Sequence, residues 1–567
     1  MNKSKLLGRI ARKSHSKNDD AIERWPHHSN VQILSDSVDQ GCHLCSLLYV
    51  QCCPTTFDSP DELASGQLTV RIEPESLIYG FKMGLEDVNG ELNRNSLQFL
   101  TTWQSWNWHY ERGPWRTSST SSQATIDLAK TWLNSCLSKH KQCRRQGTFP
   151  DPKPNRLLML SGSPDHPSLY LAEVTTQQSH IAYLTLSHCW GTGPLLTTTR
   201  EKYHSYLQGI PYTDLPQTFK DAVTIALRLG YYAIWIDALC IIQDEKEDWE
   251  STAPNMGFIY GNSVCTIAAL SSADSAGGCY HKRRPLSFLP CSINTKNGNT
   301  LKLSAARARG IREVNNPVQN MGNFDAPPLH RRGWVVQERA LSPRTLYFSN
   351  VGIYWECCYV SIAETEGERF TGGYFATGKL KLGVSWALRG PQMSSSSSLI
   401  PSSEVASDRH ASSVSSASMV KQIGSAPTSE LNNTAEGPDD DGEERFPTRT
   451  TSEWYDQWWH LVQIYTKCDL TIQSDRWPAI SGMARMFSRA SESQMIAGLW
   501  RSQLNKDLLW EGFGSIGTTF RLHSASQPSW SWLSISRCVW LNGITLSLKE
   551  EDFVSRILAV TEADADS

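Results

Sequence analysis

Two groups of side chains in this 567-residue chain have the types and spacing to do chemistry. The first offers soft metal ligands. Cys42-His-Leu-Cys45 is a C-x-x-C pair, and Cys136, His140 and Cys143 follow at positions i, i+4 and i+7, one face of a helix. Thiolate and imidazole are the usual donors to tetrahedral zinc, so Cys42, Cys45, Cys136, His140 and Cys143 are candidate ligands of one structural ion. Free thiols packed between helices are the alternative. The second group sits where apolar runs stop: Ser187, Trp190, Asp237 and Ser271 each follow a predicted buried strand. Glu338 adds a carboxylate on a predicted helix. It stands four residues after Trp334, so ring and acid share one helix face.

The runs that must position these residues alternate in type. Ile181–Leu186 is an apolar strand leading into Ser187-His-Cys-Trp-Gly191. Pro216 opens a helical pattern carried by Phe219, Val223, Ala226 and Leu227, and Gly230 is its stop. Ala233–Ile236 is a second strand ending at Asp237, Trp249–Tyr260 reads as helical despite Pro254, and Val264–Leu270 is a third strand. A helix over Arg331–Leu341 and a strand over Thr345–Phe348 complete the series. This β-α-β-α-β-α-β order, with strands apolar throughout, predicts an α/β fold whose mainly parallel sheet has helices on both faces. Such sheets bind ligands beyond the carboxyl ends of their strands, which sets Ser187, Trp190, Asp237 and Ser271 along one rim.

Composition divides the rest of the chain. Residues 1–20 read as a basic flexible tail, 21–165 as an amino-terminal Cys-containing region, and 170–365 as the α/β domain. Residues 391–451 are Ser-rich and acidic. They hold too little apolar surface to offset the entropy of ordering, which predicts a disordered linker. Residues 452–550 form a Trp-rich carboxy-terminal domain, and the chain's twenty-one tryptophans predict aromatic-rich cores. Fifteen cysteines with no apolar-centred secretory signal are expected to be reduced thiols of a cytoplasmic protein. A formal net charge of −3 offers no basic excess for nucleic acid, and no apolar run reaches membrane-spanning length. The chain has no GxxxxGK[ST] phosphate loop, so its expected partners are other proteins or a second copy of itself.

Each candidate also has a purely structural reading. Glu338 can pair with Arg332, Arg339 or Arg344, and Asp237 can cap the turn that follows it. Trp190, Trp235 and Trp334 can be core rings, and Gly191 can permit a tight turn. Cys189 and Cys240 read as buried, inert thiols, because no base is placed near either.

Three blocks resemble the fungal heterokaryon incompatibility (HET) family. Leu184-Thr-Leu-Ser-His-Cys-Trp-Gly191 is similar to its LSYCWG motif, with His188 where the family usually has tyrosine. Ile234-Trp-Ile-Asp-Ala-Leu-Cys-Ile-Ile-Gln-Asp244 is similar to LWIDxLCIxQD, and Arg332-Gly-Trp-Val-Val-Gln-Glu-Arg339 to RxWxxQER. Trp132-Leu-Asn-Ser-Cys136, Ala497-Gly-Leu-Trp500 and Pro528-Ser-Trp-Ser-Trp532 extend the resemblance over most of the chain outside the Ser-rich stretch. It implies a role in nonself-triggered fungal cell death. The strand order also resembles the flavodoxin-like fold of TIR domains, in which NAD-cleaving members carry a catalytic Glu in a Trp-x-x-x-Glu helix. Trp334 and Glu338 match that spacing. The resemblance implies NAD as substrate and Glu338 as the catalytic carboxylate, with Trp334 as a wall. It places Asp237 on a ribose hydroxyl, Ser187, Trp190 and Gly191 near the phosphates or adenine, and Arg332 or Arg339 on the pyrophosphate. A non-catalytic signalling module that recruits partners is the other function the resemblance allows.

Overall fold

The computed structural model describes residues 23–52, 68–75, 80–85, 97–100, 117–143, 153–175, 181–283, 286, 291–294, 300–304, 327–350, 352–364, 380–381, 384, 451–513, 528–535 and 538–541. The expected basic tail and, apart from residue 451, the expected linker lie outside them. The described residues before 391 and after 450 form one compact unit.

Strands are numbered along the chain. β1 (Glu23–His28), β2 (Leu68–Glu75), β3 (Gly80–Leu85) and β4 (Leu97–Leu100) pair with β10 (Cys291–Asn294) and β11 (Thr300–Ser304) in an antiparallel sheet, order β1-β2-β3-β4-β11-β10. The main sheet has eight strands. Its centre is β7 (Leu184–Ser187), β8 (Ala233–Trp235), β9 (Thr266–Ala269) and β12 (Arg344–Phe348), paired parallel in the order β8-β7-β9-β12. In chain order that is 2-1-3-4, the order of flavodoxin-like sheets, with its switch point between β7 and β9. Antiparallel strands flank this centre: β5 (Arg156–Ser163) and β6 (His166–Glu173) beside β8, β13 (Ile353–Cys357) and β14 (Ser361–Ala363) beside β12.

Period-2 alternation explains why the central strands are buried throughout. In β12, Leu346 and Phe348 enter one core while Tyr347 enters the other, and in β13 Trp355 and Tyr354 divide the same way. Seven helices, again numbered along the chain, matter below: α1 (His43–Cys52), α2 (Gln123–Lys139), α3 (Gln217–Leu229), α4 (Met256–Asn262), α5 (Gly333–Leu341), α6 (Thr451–Thr466) and α7 (Pro478–Ser491). α2 and α3 feed the first core, and α3 ends as expected at Gly230 in a left-handed conformation, φ +89°. The expected helix over Trp249–Tyr260 is interrupted by a 3-10 turn at Ala253–Asn255, where Pro254 cannot donate a helical hydrogen bond.

α5 belongs to the second core. Its Val335, Val336 and Ala340 pack with Trp458, Trp459, Ile480 and Met483 of α6 and α7. Four carboxy-terminal tryptophans, Trp458, Trp459, Trp500 and Trp532, are fully buried core rings of the same unit as the main sheet, while Trp530 is exposed. Among the described residues no helix is long and apolar enough to cross a membrane.

Candidate functional site

Glu338 lies in the last turn but one of α5 and is only 4 % exposed. Its Oε2 accepts a hydrogen bond from Ser187 Oγ at 2.5 Å, at the carboxyl end of β7 and beside the switch point. The hydroxyl of buried Tyr260, which donates to Leu186 O at 3.0 Å, lies against the same carboxyl. Burial pushes the Glu338 carboxyl up to about 7, a rise that Arg332 and the Ser187 hydroxyl oppose and Asp237 reinforces. An acid at that value changes protonation state near neutral pH, which is what general acid–base work requires.

The rim above Glu338 is built by the other predicted residues. Asp237 Oδ2 accepts from the Trp190 indole N–H at 2.9 Å, and Oδ1 accepts from Ala238 N at 2.8 Å. One carboxylate thus holds both the Trp190 ring and the backbone of the turn that follows β8. Gly191 turns the loop at φ +79°; a Cβ there would come within 2.4 Å of the Asp274 side chain, so a glycine is required on both counts. Arg332 donates to His188 O and contributes to the electrostatics of Glu338 and His188. Trp190, Asp237 and Arg332 are half-buried and Gly191 and Asp274 exposed, so this rim is the side of the cluster that meets solvent.

His188 sits beneath the rim. Its Nδ1 is 3.8 Å from Asp237 Oδ1, its ring meets Phe219 edge-on at 5.0 Å, and its buried Nε2 finds no hydrogen-bond partner. Burial, assisted by Arg332 and opposed by Asp237, lowers it to about 4, so the imidazole is neutral at physiological pH. The thiols in the motifs are inert: Cys189 is pushed up to about 11 and Cys240 to about 12, chiefly by burial.

Three candidates go elsewhere. Arg339 is one residue beyond Glu338, about 100° round the helix, and faces away. It is buried in an ion pair with Glu356, so it does not stand at the rim as a pyrophosphate partner. Trp334 touches both cores and donates its indole N–H to Asp475 at 3.2 Å, tying α5 to the carboxy-terminal segment. Ser271 donates to Asn350 at 3.2 Å. The start of α5 is held by that same segment: Gly333 N donates to Asp469 O at 2.8 Å, and Asp469 N to Arg331 O at 2.6 Å.

The metal candidates divide. Cys136, His140 and Cys143 do converge, and their fourth member is Cys357 of β13; all four ligand atoms lie within 4.8 Å of one another. Cys42 and Cys45, flanking the start of α1, are not in that group, which corrects the expected ligand set. Cys45 instead approaches His28 at 3.3 Å and His27 at 3.5 Å. Cys357, Tyr260 and Asp274 were not singled out by sequence. Only Cys357 had a signal, as the last residue of Trp355-Glu-Cys357, which follows the third block of the family resemblance.

Ser187 provides a test of the site. Its hydroxyl favours the ionised form of Glu338, and a hydrogen bond to a charge contributes roughly 1.5–3 kcal/mol. Ser187→Ala is therefore expected to raise the Glu338 titration by about one pH unit or more. The measurement is a carboxyl titration followed by infrared difference spectroscopy against the Glu338→Gln protein; an unmoved titration rejects the bond.

No curated protein and no solved structure matches the chain. Residues 183–338 match the family model described as Heterokaryon incompatibility protein (HET). That span runs from the lead-in to β7 through Glu338 and includes Ser187, Trp190, Gly191, Asp237, Tyr260, Asp274 and Arg332; the cluster around the buried acid thus lies within the part of the chain that is similar to the heterokaryon incompatibility (HET) family.

Proposed function

We propose that this protein acts in heterokaryon incompatibility by hydrolysing NAD at the nicotinamide–ribose bond, with Glu338 as the catalytic carboxylate. The observation that supports this reading is the buried, near-neutral acid held by Ser187 at the carboxyl end of β7. The pyridinium of NAD is a cation, and its approach favours the ionised form of Glu338. As the ribose C1′–nitrogen bond breaks, the electron pair returns to the pyridine ring and neutralises it. Positive charge develops on the ribose, and the carboxylate stabilises it in a water-poor setting. Water then bonds to C1′ and gives its proton to Glu338. The products are nicotinamide and ADP-ribose, and the proton is released to solvent. In this reading Arg332 meets the pyrophosphate and Asp237 a ribose hydroxyl, with the Trp190–Gly191 loop beside them.

The test is nicotinamide release by the purified full-length chain. Glu338→Gln keeps size and the acceptor for Ser187 but cannot take a proton. It is expected to lower turnover on the order of 100-fold or more. Equal turnover by both proteins removes Glu338 from the reaction. Cell killing that survives the substitution while NAD stays intact points instead to a module acting through partner recruitment.

A further inference from the structure

Beyond the acid cluster, the molecule holds a second site on the other side of the sheet's edge hairpin. Cys136 is in the last turn of α2, His140 is its C-cap, and Cys143 lies in the 3-10 turn Lys141–Cys143 that follows. Cys357 is the last residue of β13, 214 positions after Cys143. All four are buried, with Cys136 and Cys357 fully so.

The spacing of the ligand atoms fits a metal. Zinc–sulfur bonds of about 2.3 Å and zinc–nitrogen bonds of about 2.0 Å in a tetrahedron put sulfur and nitrogen about 3.5 Å apart. Cys357 Sγ and His140 Nδ1 are 3.4 Å apart. The surroundings fit thiolates rather than thiols. Arg344 is buried and makes three hydrogen bonds, to Cys136 Sγ, Val264 O and Cys143 O, each at 3.1 Å. No carboxylate among the described residues bonds to it. A buried guanidinium needs a negative charge nearby. Three thiolates around a divalent ion carry a net charge of −1, and Arg344 balances it. The amide of Val360 donates to Cys357 Sγ at 3.4 Å, a further bond that favours a thiolate. The other buried thiols of the HET domain, Cys189, Cys240, Cys265 and Cys279, belong to no such group among the described residues.

We propose that Cys136, His140, Cys143 and Cys357 bind one zinc ion that pins the end of α2 to β13. The ion would join the amino-terminal region to the strand that also carries Glu356, the partner of Arg339 on the helix of Glu338. The full-length protein, purified without chelators, is expected to contain one zinc per chain by elemental analysis. Cys357→Ser should lower zinc content at least tenfold. Cys45→Ser, in the separate His27–His28–Cys45 group, should leave it unchanged. Absence of stoichiometric metal in the parent protein overturns the proposal, as does full retention in Cys357→Ser or loss in Cys45→Ser. Should Cys357→Ser not fold, cobalt substitution of the parent decides. Intense tetrahedral d–d bands with thiolate-to-cobalt charge transfer support the site, and their absence rejects it.

Discussion

Truncating Arg339 to alanine is expected to destabilise the protein by about 3–5 kcal/mol, enough to unfold a domain of ordinary stability. The guanidinium and the Glu356 carboxylate meet through two 3.0 Å hydrogen bonds, and both side chains are essentially excluded from water. Tyr347 donates to the same carboxylate at 2.6 Å. Buried Lys381 spans the end of the helix, bonding the carbonyls of Arg339 and Ser342 and the hydroxyl of Thr345. Burial alone would raise the Glu356 carboxyl, but Arg339 and then Lys381 overcome it and hold it below its ordinary value. Removing Arg339 leaves a buried carboxylate with much of its compensation gone. Its carboxyl then rises, and the loss of stability should grow as pH increases. Urea unfolding at pH 5 and pH 8 measures both effects; a loss under about 1 kcal/mol at pH 8 would mean the pair is not the keystone of this core.

Glu338→Gln is expected to do the opposite to stability. A carboxyl titrating at about 7 in the folded chain and 4.5 in the unfolded one favours folding only while protonated. Its contribution is fully present below the unfolded value and is lost as pH rises through 7. The difference between 7 and 4.5, at about 1.4 kcal/mol for each pH unit, makes the ionised acid cost roughly 3.5 kcal/mol above pH 7. Glutamine never ionises and still accepts from Ser187. The variant should therefore match the parent near pH 4 and exceed it by about 3 kcal/mol at pH 8. An acid retained at such a cost fits a site kept for function rather than stability. If unfolding midpoints of the two proteins ran parallel from pH 4 to pH 8, the carboxyl would be neither buried nor raised.

The parts of this arrangement that were legible in the sequence were those governed by local period. β7, β8, β9 and β12 are largely apolar and buried on both faces, as central parallel strands are. The rule that such sheets work at their carboxyl ends then brought Ser187 and Asp237 to one rim, with Glu338 below it. What stayed hidden depends on long-range pairing. β4 meets β11 across about 200 residues, and the central sheet takes its edge strands β5 and β6 from the amino-terminal side. Nothing in a single strand announces such a partner. Arg332 and Arg339 looked equivalent as charges near the acid, yet helical phase sends one to the rim and the other to Glu356. The C-x-x-C pair looked like the natural complement to Cys136 and Cys143. The strand end at Cys357 supplies it instead, because β13 runs beside α2.

The clamp that Asp469 and Asp475 place on residues 331–334 has a consequence for how the acid is set. The acid-bearing helix is seated by a segment encoded more than a hundred codons downstream, beyond the Ser-rich stretch. The backbone bonds at Asp469 survive any change of side chain, so among these contacts only Asp475 lets substitution in that segment loosen the seat of the helix. The setting of the acid is thus shared between two stretches of chain that are far apart in sequence.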